Sequence, residues 1–531
     1  MLQDLNRFAE ALTDQDRAIA LAPSFALAHV NRGNALQALQ RLPEAIAAYD
    51  RAIELAPAQA LAHRNRGAAL KGLKRLDEAL ASFEAAWTLD PADTTALSEA
   101  LFLNAQMGCW TDHDRRAELA RRVLGGEAIP PFHVFALADD PQLQLANARG
   151  WAHRHFPPQP VPDFPAPPAR DGRIRIGYFS ADFYNHATMA LMARMFERHD
   201  RTRFEVHAFS YGPQIHDAVR ARVIDAVEHF HDISRLDDAA AAQLSRDLGI
   251  DVAVDLKGYT DKGRPGIFAW RAARHQVGYL GYPGTMGADY IDHMIADRVT
   301  VPETARDGYS EAIAHLPGCY QVNDSARAIA APPPSRVGLG LPEQGFVFCC
   351  FNGAYKITPA AFDIWMRLLA RVEGSVLWLL DDNPWASASL RREAAIRGVD
   401  PFRLVFAPRV GMAEHLARQT HADLFLDTFA VNAHTTASEA LWAGLPLMTK
   451  PGRSFVARVA ASLLQAVDLP ELIVASAEDY EALALALATD PARLAAIKAR
   501  LAANRTTAPL FDTERFTREI EDLFAAIVAR R

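Results

Sequence analysis

Residues 427–446 read D-T-F-A-V-N-A-H-T-T-A-S-E-A-L-W-A-G-L-P, a short polar loop after an apolar run, then a helical pattern opened by His434, Thr435 and Thr436. The first N–H groups of a helix have no intrahelical acceptor, and the positive end of its dipole lies beside them. A diphosphate at that point gains those donors, two hydroxyls and an imidazole. The same residues also fit an ordinary capped turn between a strand and a helix, and the short motif suits both readings.

A second segment, F-N-G-A-Y-K at 351–356, follows a strand-like run at 346–351 and ends in Lys356. The chain holds seven lysines against 49 arginines, so a lysine directly after a buried strand stands out. A compact cation there neutralises charge that develops on a leaving diphosphate. The competing reading is a solvated surface lysine, and the buried strand before it favours the first. His186 stands four residues after Asp182 in S-A-D-F-Y-N-H-A-T, which ends at Thr188. A carboxylate that fixes the tautomer of a histidine supports either a base or a phosphate contact, whereas a lone histidine is more often structural. His415 and Arg418 lie one turn apart on a helical pattern, suited to stacking and to phosphate or ribose contact, or to a solvated face. Leu280 and Gly281 open a turn, L-G-Y-P-G-T-M-G, whose glycines permit close backbone approach.

These residues need a scaffold with strand ends in one place. From residue 170 onward, short apolar runs at 174–180, 204–211, 252–256 and 275–280 alternate with helical stretches, and a second set follows at 346–351, 375–380, 403–406, 423–426 and 446–449. That alternation is the pattern of doubly wound parallel sheets, and A-A-P-P-P at 330–334 lies between the two sets. Two such lobes place a ligand beyond the carboxyl ends of their strands.

The first hundred residues repeat with a period of 34: Arg7, Arg41 and Arg75 fall in register, as do Pro23, Pro57 and Pro91, and Gly33 recurs at Gly67. An Ala-x-x-x-aromatic signal recurs at Ala45/Tyr49 and Ala79/Phe83, with Gln15 at the aromatic position of a weaker first unit. These features resemble tetratricopeptide repeats, whose concave face holds an extended peptide. Asn31 and Asn65 occupy matching positions, suited to bonding a peptide backbone or to solvating their helices, and Glu99 replaces them in the third unit. A proline-rich run at 156–168 marks a boundary.

Length and composition fit this plan. A chain of 531 residues, half of them hydrophobic, divides into about three domains. A net charge of −8 and a pI near 6.1 provide no general field for nucleic acid. Cys109, Cys319, Cys349 and Cys350 have no metal spacing and read as buried thiols of a reducing compartment. No signal pattern and no membrane-length apolar run is present, so the expected location is cytoplasmic, with no membrane partner. The Asp-x-Asp pairs Asp14/Asp16 and Asp112/Asp114 lie in the helical part and at no strand end, so no catalytic metal is expected.

The segments 180–188, 280–287, 351–356 and N-A-H-T-T at 432–436, in that order after the repeats, resemble the peptide O-linked N-acetylglucosamine transferase family, in its bacterial form. The resemblance implies an α-helical tetratricopeptide-repeat array followed by an α/β GT-B glycosyltransferase of two Rossmann-like lobes. Its divisions are 1–108 repeats, 109–168 helical transition and linker, 169–335 N-terminal lobe, and 336–531 C-terminal nucleotide-sugar lobe. It implies inverting, metal-independent transfer of N-acetylglucosamine from UDP-GlcNAc to Ser or Thr hydroxyls of proteins, with no cofactor beyond the donor. In the family Lys356 matches the lysine at the diphosphate, Glu439 an acidic residue on the ribose, and His186 and His133 histidines considered as base or donor ligand. Thr188, Leu280, Gly281, Tyr355, His415, Arg418, His434, Thr435 and Thr436 are the other donor-site positions it implies, and the acceptor peptide runs along the repeats and cleft. Gly353 stands where animal members carry Gln, Met412 replaces a Lys, and the stretch 320–344 is too short for the domain inserted in animal members. A protein O-fucosyltransferase using GDP-fucose and a non-catalytic nucleotide-sugar scaffold are the alternatives, as is a transferase for small metabolites or surface glycans.

Overall fold

The structure, a computed structural model, describes residues 8–160, 164 and 172–529, the His113 side chain excepted. Arg7 and positions 161–163 and 165–168 of the proline-rich run lie outside the described residues. The chain forms two compact units, Met1–His133 and Val134–Arg531.

The first unit is built of antiparallel helix pairs, Phe8–Leu21, Ala26–Ala38, Leu42–Leu55, Ala60–Gly72, Leu76–Leu89, Thr94–Gln106 and His113–Leu124, with a short helix beginning at Pro131. Its contacts repeat with the period of the sequence. His29 and His63 each donate through Nε2 to a carbonyl six residues back, Pro23 O and Pro57 O, both at 2.9 Å. Arg32 pairs with Asp16 at 2.7 Å and Arg66 with Asp50 at 2.6 Å. The small-residue signal has a steric cause: a Cβ on Gly33 would stand 2.4 Å from the Tyr49 ring, and one on Gly67 3.0 Å from Phe83. Asn65 donates to Asn34 Oδ1 at 2.8 Å, so that amide joins neighbouring helix pairs.

The second unit contains two parallel sheets. The first comprises β1 (Ile174–Ser180), β2 (Phe204–Ser210), β3 (His229–Asp232), β4 (Val252–Asp255), β5 (His275–Gly278), β6 (His293–Ala296) and β7 (Ala312–His315), in spatial order β3-β2-β1-β4-β5-β6-β7. The second comprises β8 (Val347–Cys350), β9 (Val376–Leu380), β10 (Leu404–Ala407), β11 (Leu424–Leu426) and β12 (Leu447–Met448), in order β10-β9-β8-β11-β12. Strands β1, β2, β4 and β8 are buried along nearly their whole length, because helices cover both faces, which explains their continuous apolar runs. Three strands escape the sequence patterns, β3, β6 and β7; each has four residues, and β3 reads H-F-H-D. Cys319, Cys349 and Cys350 are buried thiols, whereas Cys109 is only half-buried.

The last helix, Thr513–Ala529, returns to the first lobe and packs on helix Ala187–Arg198. Glu521 there accepts from His199 Nδ1 at 2.9 Å and from the Asp200 N–H at 2.7 Å. A division by chain order, with 336–531 as one lobe, does not capture that return.

Candidate active site

In the second sheet, β8 is followed outward by β9 and β10 on one side, while β11 and β12 lie on its other side. The direction of winding therefore switches between β8 and β11, where a crevice opens beyond the strand ends. The loop after β8 supplies Asn352 to Lys356, and the loop after β11 supplies Asp427 to His434. Their residues interlock. Asn352 donates to Thr428 Oγ1 at 2.8 Å and accepts from Thr436 Oγ1 at 2.7 Å. Thr428 donates to Val431 O at 2.6 Å, and Asn432 returns a bond to Thr428 O at 2.7 Å. This fixes the Asn432 carbonyl, which accepts from Lys356 Nζ at 2.7 Å.

Lys356 thus contacts a neutral oxygen. Burial pulls its pKa down to about 8, and nearby Asp427 pulls the other way. Asp427 is fully buried, and burial pushes its carboxyl up to about 7 against bonds from Thr449 Oγ1 at 2.6 Å, the Ala433 N–H at 2.6 Å and the Thr428 N–H at 2.8 Å. Asp427 is the first residue of the segment 427–446. It organises the loop, as the bonds to Ala433 and Thr428 show, and it faces the lysine.

His434 occupies the N-cap of helix Thr435–Trp442, and its Nε2 lies 3.1 Å from Val456 O. Only an N–H can bond a carbonyl, so Nε2 carries the proton and Nδ1 is an acceptor. Burial and the Lys356 charge depress its pKa to about 3, so the ring stays neutral. This corrects the expectation that the imidazole donates to phosphate. The Thr436 hydroxyl is likewise engaged as a donor to Asn352. The donors left at this point are the first helical N–H groups, the Thr435 hydroxyl and Lys356.

One turn further, Glu439 is buried and lies 3.3 Å from His415 Nε2. His415 Nδ1 accepts from Arg418 at 2.8 Å, and Arg418 also donates to Pro408 O at 2.6 Å while stacking over Phe351 and Trp378. Arg418 is 2% exposed, so it holds His415 in place and offers no guanidinium to a ligand, contrary to the phosphate or ribose contact expected of it. Tyr355 is half-exposed and sits beside Gly353, where an added Cβ would lie 3.3 Å from its ring.

The first sheet switches direction between β1 and β4. The loop after β1 carries Asp182 and His186; the loop after β4 carries Lys257, another of the seven lysines and one outside the four motif segments. Lys257 Nζ and Asp182 Oδ2 form a buried ion pair at 2.7 Å. His186 caps helix Ala187–Arg198: its Nδ1 is 3.2 Å from the Thr188 N–H, 3.2 Å from Thr188 Oγ1 and 3.3 Å from Asp182 Oδ2. The ring nitrogen accepts from the amide or donates to the carboxylate, not both at once. Because Asp182 Oδ2 already receives the Lys257 ammonium, the neutral ring is assigned as the Nε2–H tautomer. Burial lowers the His186 pKa while Asp182 raises it.

Leu280 and Gly281 follow β5. Leu280 takes the left-handed region at φ 63°, and a Cβ on Gly281 would stand 1.9 Å from Leu256 O. The close approach that this glycine permits is to the protein's own backbone after β4. His133 belongs to the first compact unit, where it is buried, stacked on Phe102 at 4.2 Å and 2.9 Å from Ser98 Oγ; burial lowers its pKa to about 4.

Comparison with known proteins agrees with this architecture. The tetratricopeptide-repeat profiles match residues 33–74 and 63–93, and that of glycosyl transferase family 41 matches 159–332 and 332–520. A probable UDP-N-acetylglucosamine–peptide N-acetylglucosaminyltransferase, SEC, of Arabidopsis thaliana is 37% identical over 78% of this chain and 45% of its own length. The UDP-N-acetylglucosamine–peptide N-acetylglucosaminyltransferase of Caenorhabditis elegans is 30% identical over 67% of this chain and 41% of its own length. The chain therefore spans less than half the length of these curated relatives. The solved structure of an O-GlcNAc transferase point mutant from Thermobaculum terrenum superposes with a TM-score of 0.73 at 26% identity, covering 99% of this chain and 95% of that one. With the family profile matching well over half of its residues, the chain belongs to glycosyl transferase family 41.

Proposed function

We propose that the chain is an inverting, metal-independent glycosyltransferase that moves N-acetylglucosamine from UDP-GlcNAc to Ser or Thr hydroxyls of proteins. The observation that carries this reading is the second switch point, where Lys356 and the start of helix Thr435–Trp442 converge from adjacent strands. A diphosphate there meets backbone donors, a dipole end and a cation hydrogen-bonded to a carbonyl rather than to a carboxylate, so charge on the leaving group is stabilised as the glycosidic bond breaks. Glu439, oriented by His415, is the acceptor for ribose hydroxyls. His186, with its proton on Nε2, serves the donor as a hydrogen-bond donor, which leaves a donor phosphate oxygen as the receiver of the acceptor's proton. The names of the relatives support N-acetylglucosamine as the sugar, and the repeats support a protein or peptide as acceptor.

The test is calorimetric titration of the chain and of Lys356→Ala with UDP, GDP and UDP-GlcNAc in EDTA, together with transfer assays on peptide. UDP binding that weakens in the variant, with transfer abolished, is the expected result. Preference for GDP, or transfer that survives in Lys356→Ala, would sink the reading.

A further inference from the structure

The first sheet carries a second cluster of ionisable side chains, on strands β2 and β3, away from the loops that hold Asp182, His186 and Lys257. Alternate residues of a strand share a face, so Glu205, His207 and Phe209 of β2 project together. Strand β3 runs parallel, with His229 beside His207 and His231 beside Phe209. The edge strand β3 and its neighbour β2 thus bring three imidazoles and a carboxylate to one place. His207 Nε2 is 3.0 Å from Glu205 Oε1, and His229 Nε2 is 3.3 Å from the same oxygen. His207 Nδ1 is 3.0 Å from His231 Nε2. Glu205 Oε1, one nitrogen of His207 and one of His229 all lie within 4.8 Å of one another.

We propose that Glu205, His207 and His229 form a binding site for a zinc-class divalent ion at the edge of the first sheet, with His231 accepting from His207 Nδ1 when the ion is bound. An ion about 2.0–2.1 Å from each of three tetrahedrally arranged ligands holds them about 3.3 Å apart, close to the separations of 3.0 and 3.3 Å around Glu205 Oε1. Two imidazoles and one carboxylate suit zinc and its neighbours rather than magnesium or calcium, which require several oxygens. The other carboxylate oxygen, Glu205 Oε2, receives Arg173 at 3.0 Å and Arg175 at 3.3 Å, which fixes the carboxylate and directs Oε1 at the site.

The proton balance closes without release. In the free protein His207 Nε2–H donates to Glu205 and Nδ1 accepts from His231. With the ion bound, the Nε2 lone pair faces the metal, Nδ1–H donates to His231 Nε2, and the proton of His231 sits on its Nδ1. Three protein ligands leave the fourth position to water. Strand β3 lies at the edge of the sheet and pairs with β2 alone, so the ion acts as a staple for that edge.

The experiment uses the untagged full chain, stripped with chelator and titrated with zinc chloride by calorimetry, with thermal unfolding followed in zinc and in EDTA. The His229 side chain is half-exposed, so His229→Ala keeps the fold. One zinc per chain bound at micromolar concentration, a higher unfolding midpoint in zinc, and at least about tenfold weaker binding with loss of that midpoint rise in His229→Ala are expected. His207→Gln, checked for native circular dichroism, is expected to behave alike. No stoichiometric zinc on the wild type, or binding as tight in His229→Ala as in the wild type, would overturn the proposal.

Discussion

The two switch points of the second unit use the same three residue types and leave them in different states. Between β1 and β4, Lys257 meets Asp182 at 2.7 Å, and His186 caps the following helix. Between β8 and β11, Lys356 meets a carbonyl at 2.7 Å, Asp427 is satisfied by hydroxyl and amide donors, and His434 stands at the N-cap. The first lysine is neutralised by its carboxylate and serves the architecture. The second bonds a carbonyl, and Asp427 acts on it through space without a hydrogen bond between them, so an arriving anion gains more there. Neighbouring bonds, rather than residue type, separate a structural lysine from one available for chemistry.

The sharpest way to break this contrast is to remove each lysine. Lys356→Ala is expected to lower turnover by about 10³-fold while leaving the unfolding midpoint at pH 7 unchanged or raised, because a desolvated cation is deleted. Steady-state kinetics beside thermal unfolding reads both. Lys257→Met is expected to do the reverse, costing about 3 kcal/mol of stability by leaving Asp182 buried without its cation. Urea unfolding measures that loss, and adding Asp182→Asn to the same chain should recover most of it. If Lys257→Met unfolds at the wild-type midpoint, the two sites are not different in kind.

The next effect sharpens the contrast through pH. The pKa of Lys356 is lowered by burial to about 8, so the free site holds a cation below that pH and loses it above. A bound diphosphate favours the cation and raises its pKa. UDP affinity is therefore expected to be flat below pH 7.5 or so and to fall about tenfold per pH unit above about 8, with a proton taken up on binding. Calorimetry in buffers of different ionisation enthalpy counts that proton, and its absence at pH 8.5 would remove Lys356 from the diphosphate. For stability the sign is opposite to that of a salt-bridged lysine: the cost of the buried cation is full below about 8 and fades as pH rises toward its ordinary value.

Much of this was legible in the sequence because burial writes long patterns. The nine strands expected all appear, since covered parallel strands read as continuous apolar runs. The 34-residue period is legible for a steric reason, the Gly33–Tyr49 and Gly67–Phe83 contacts. Lys356 was visible by scarcity and position, and Lys257 in D-L-K-G carried the same signal after β4. Tautomers and partners were not legible: that His434 must donate to Val456 O, or that Arg418 is held by His415 and Pro408, depends on atoms brought together from 10 to 22 residues away or by helix geometry. The Glu205, His207 and His229 cluster was hidden because β3 is short and polar.

The smallest effect contrasts the two threonines beside these helix starts. Thr436 Oγ1 donates to Asn352 Oδ1 at 2.7 Å, and Asn352 is buried in the network that fixes the Asn432 carbonyl under Lys356. At the other site the Thr188 backbone N–H meets His186, and its hydroxyl adds a contact at 3.2 Å. Thr436→Val deletes a bond whose acceptor then stays buried without a donor, and is expected to cost about 1.5 kcal/mol. Thr188→Val keeps the amide cap and is expected to cost about 0.5 kcal/mol. Urea unfolding separates the two, and UDP titration adds a second reading, because only the Thr436 network ends on the lysine. Equal losses of stability together with equal UDP affinities would mean that the order seen around Lys356 is not transmitted through Asn352.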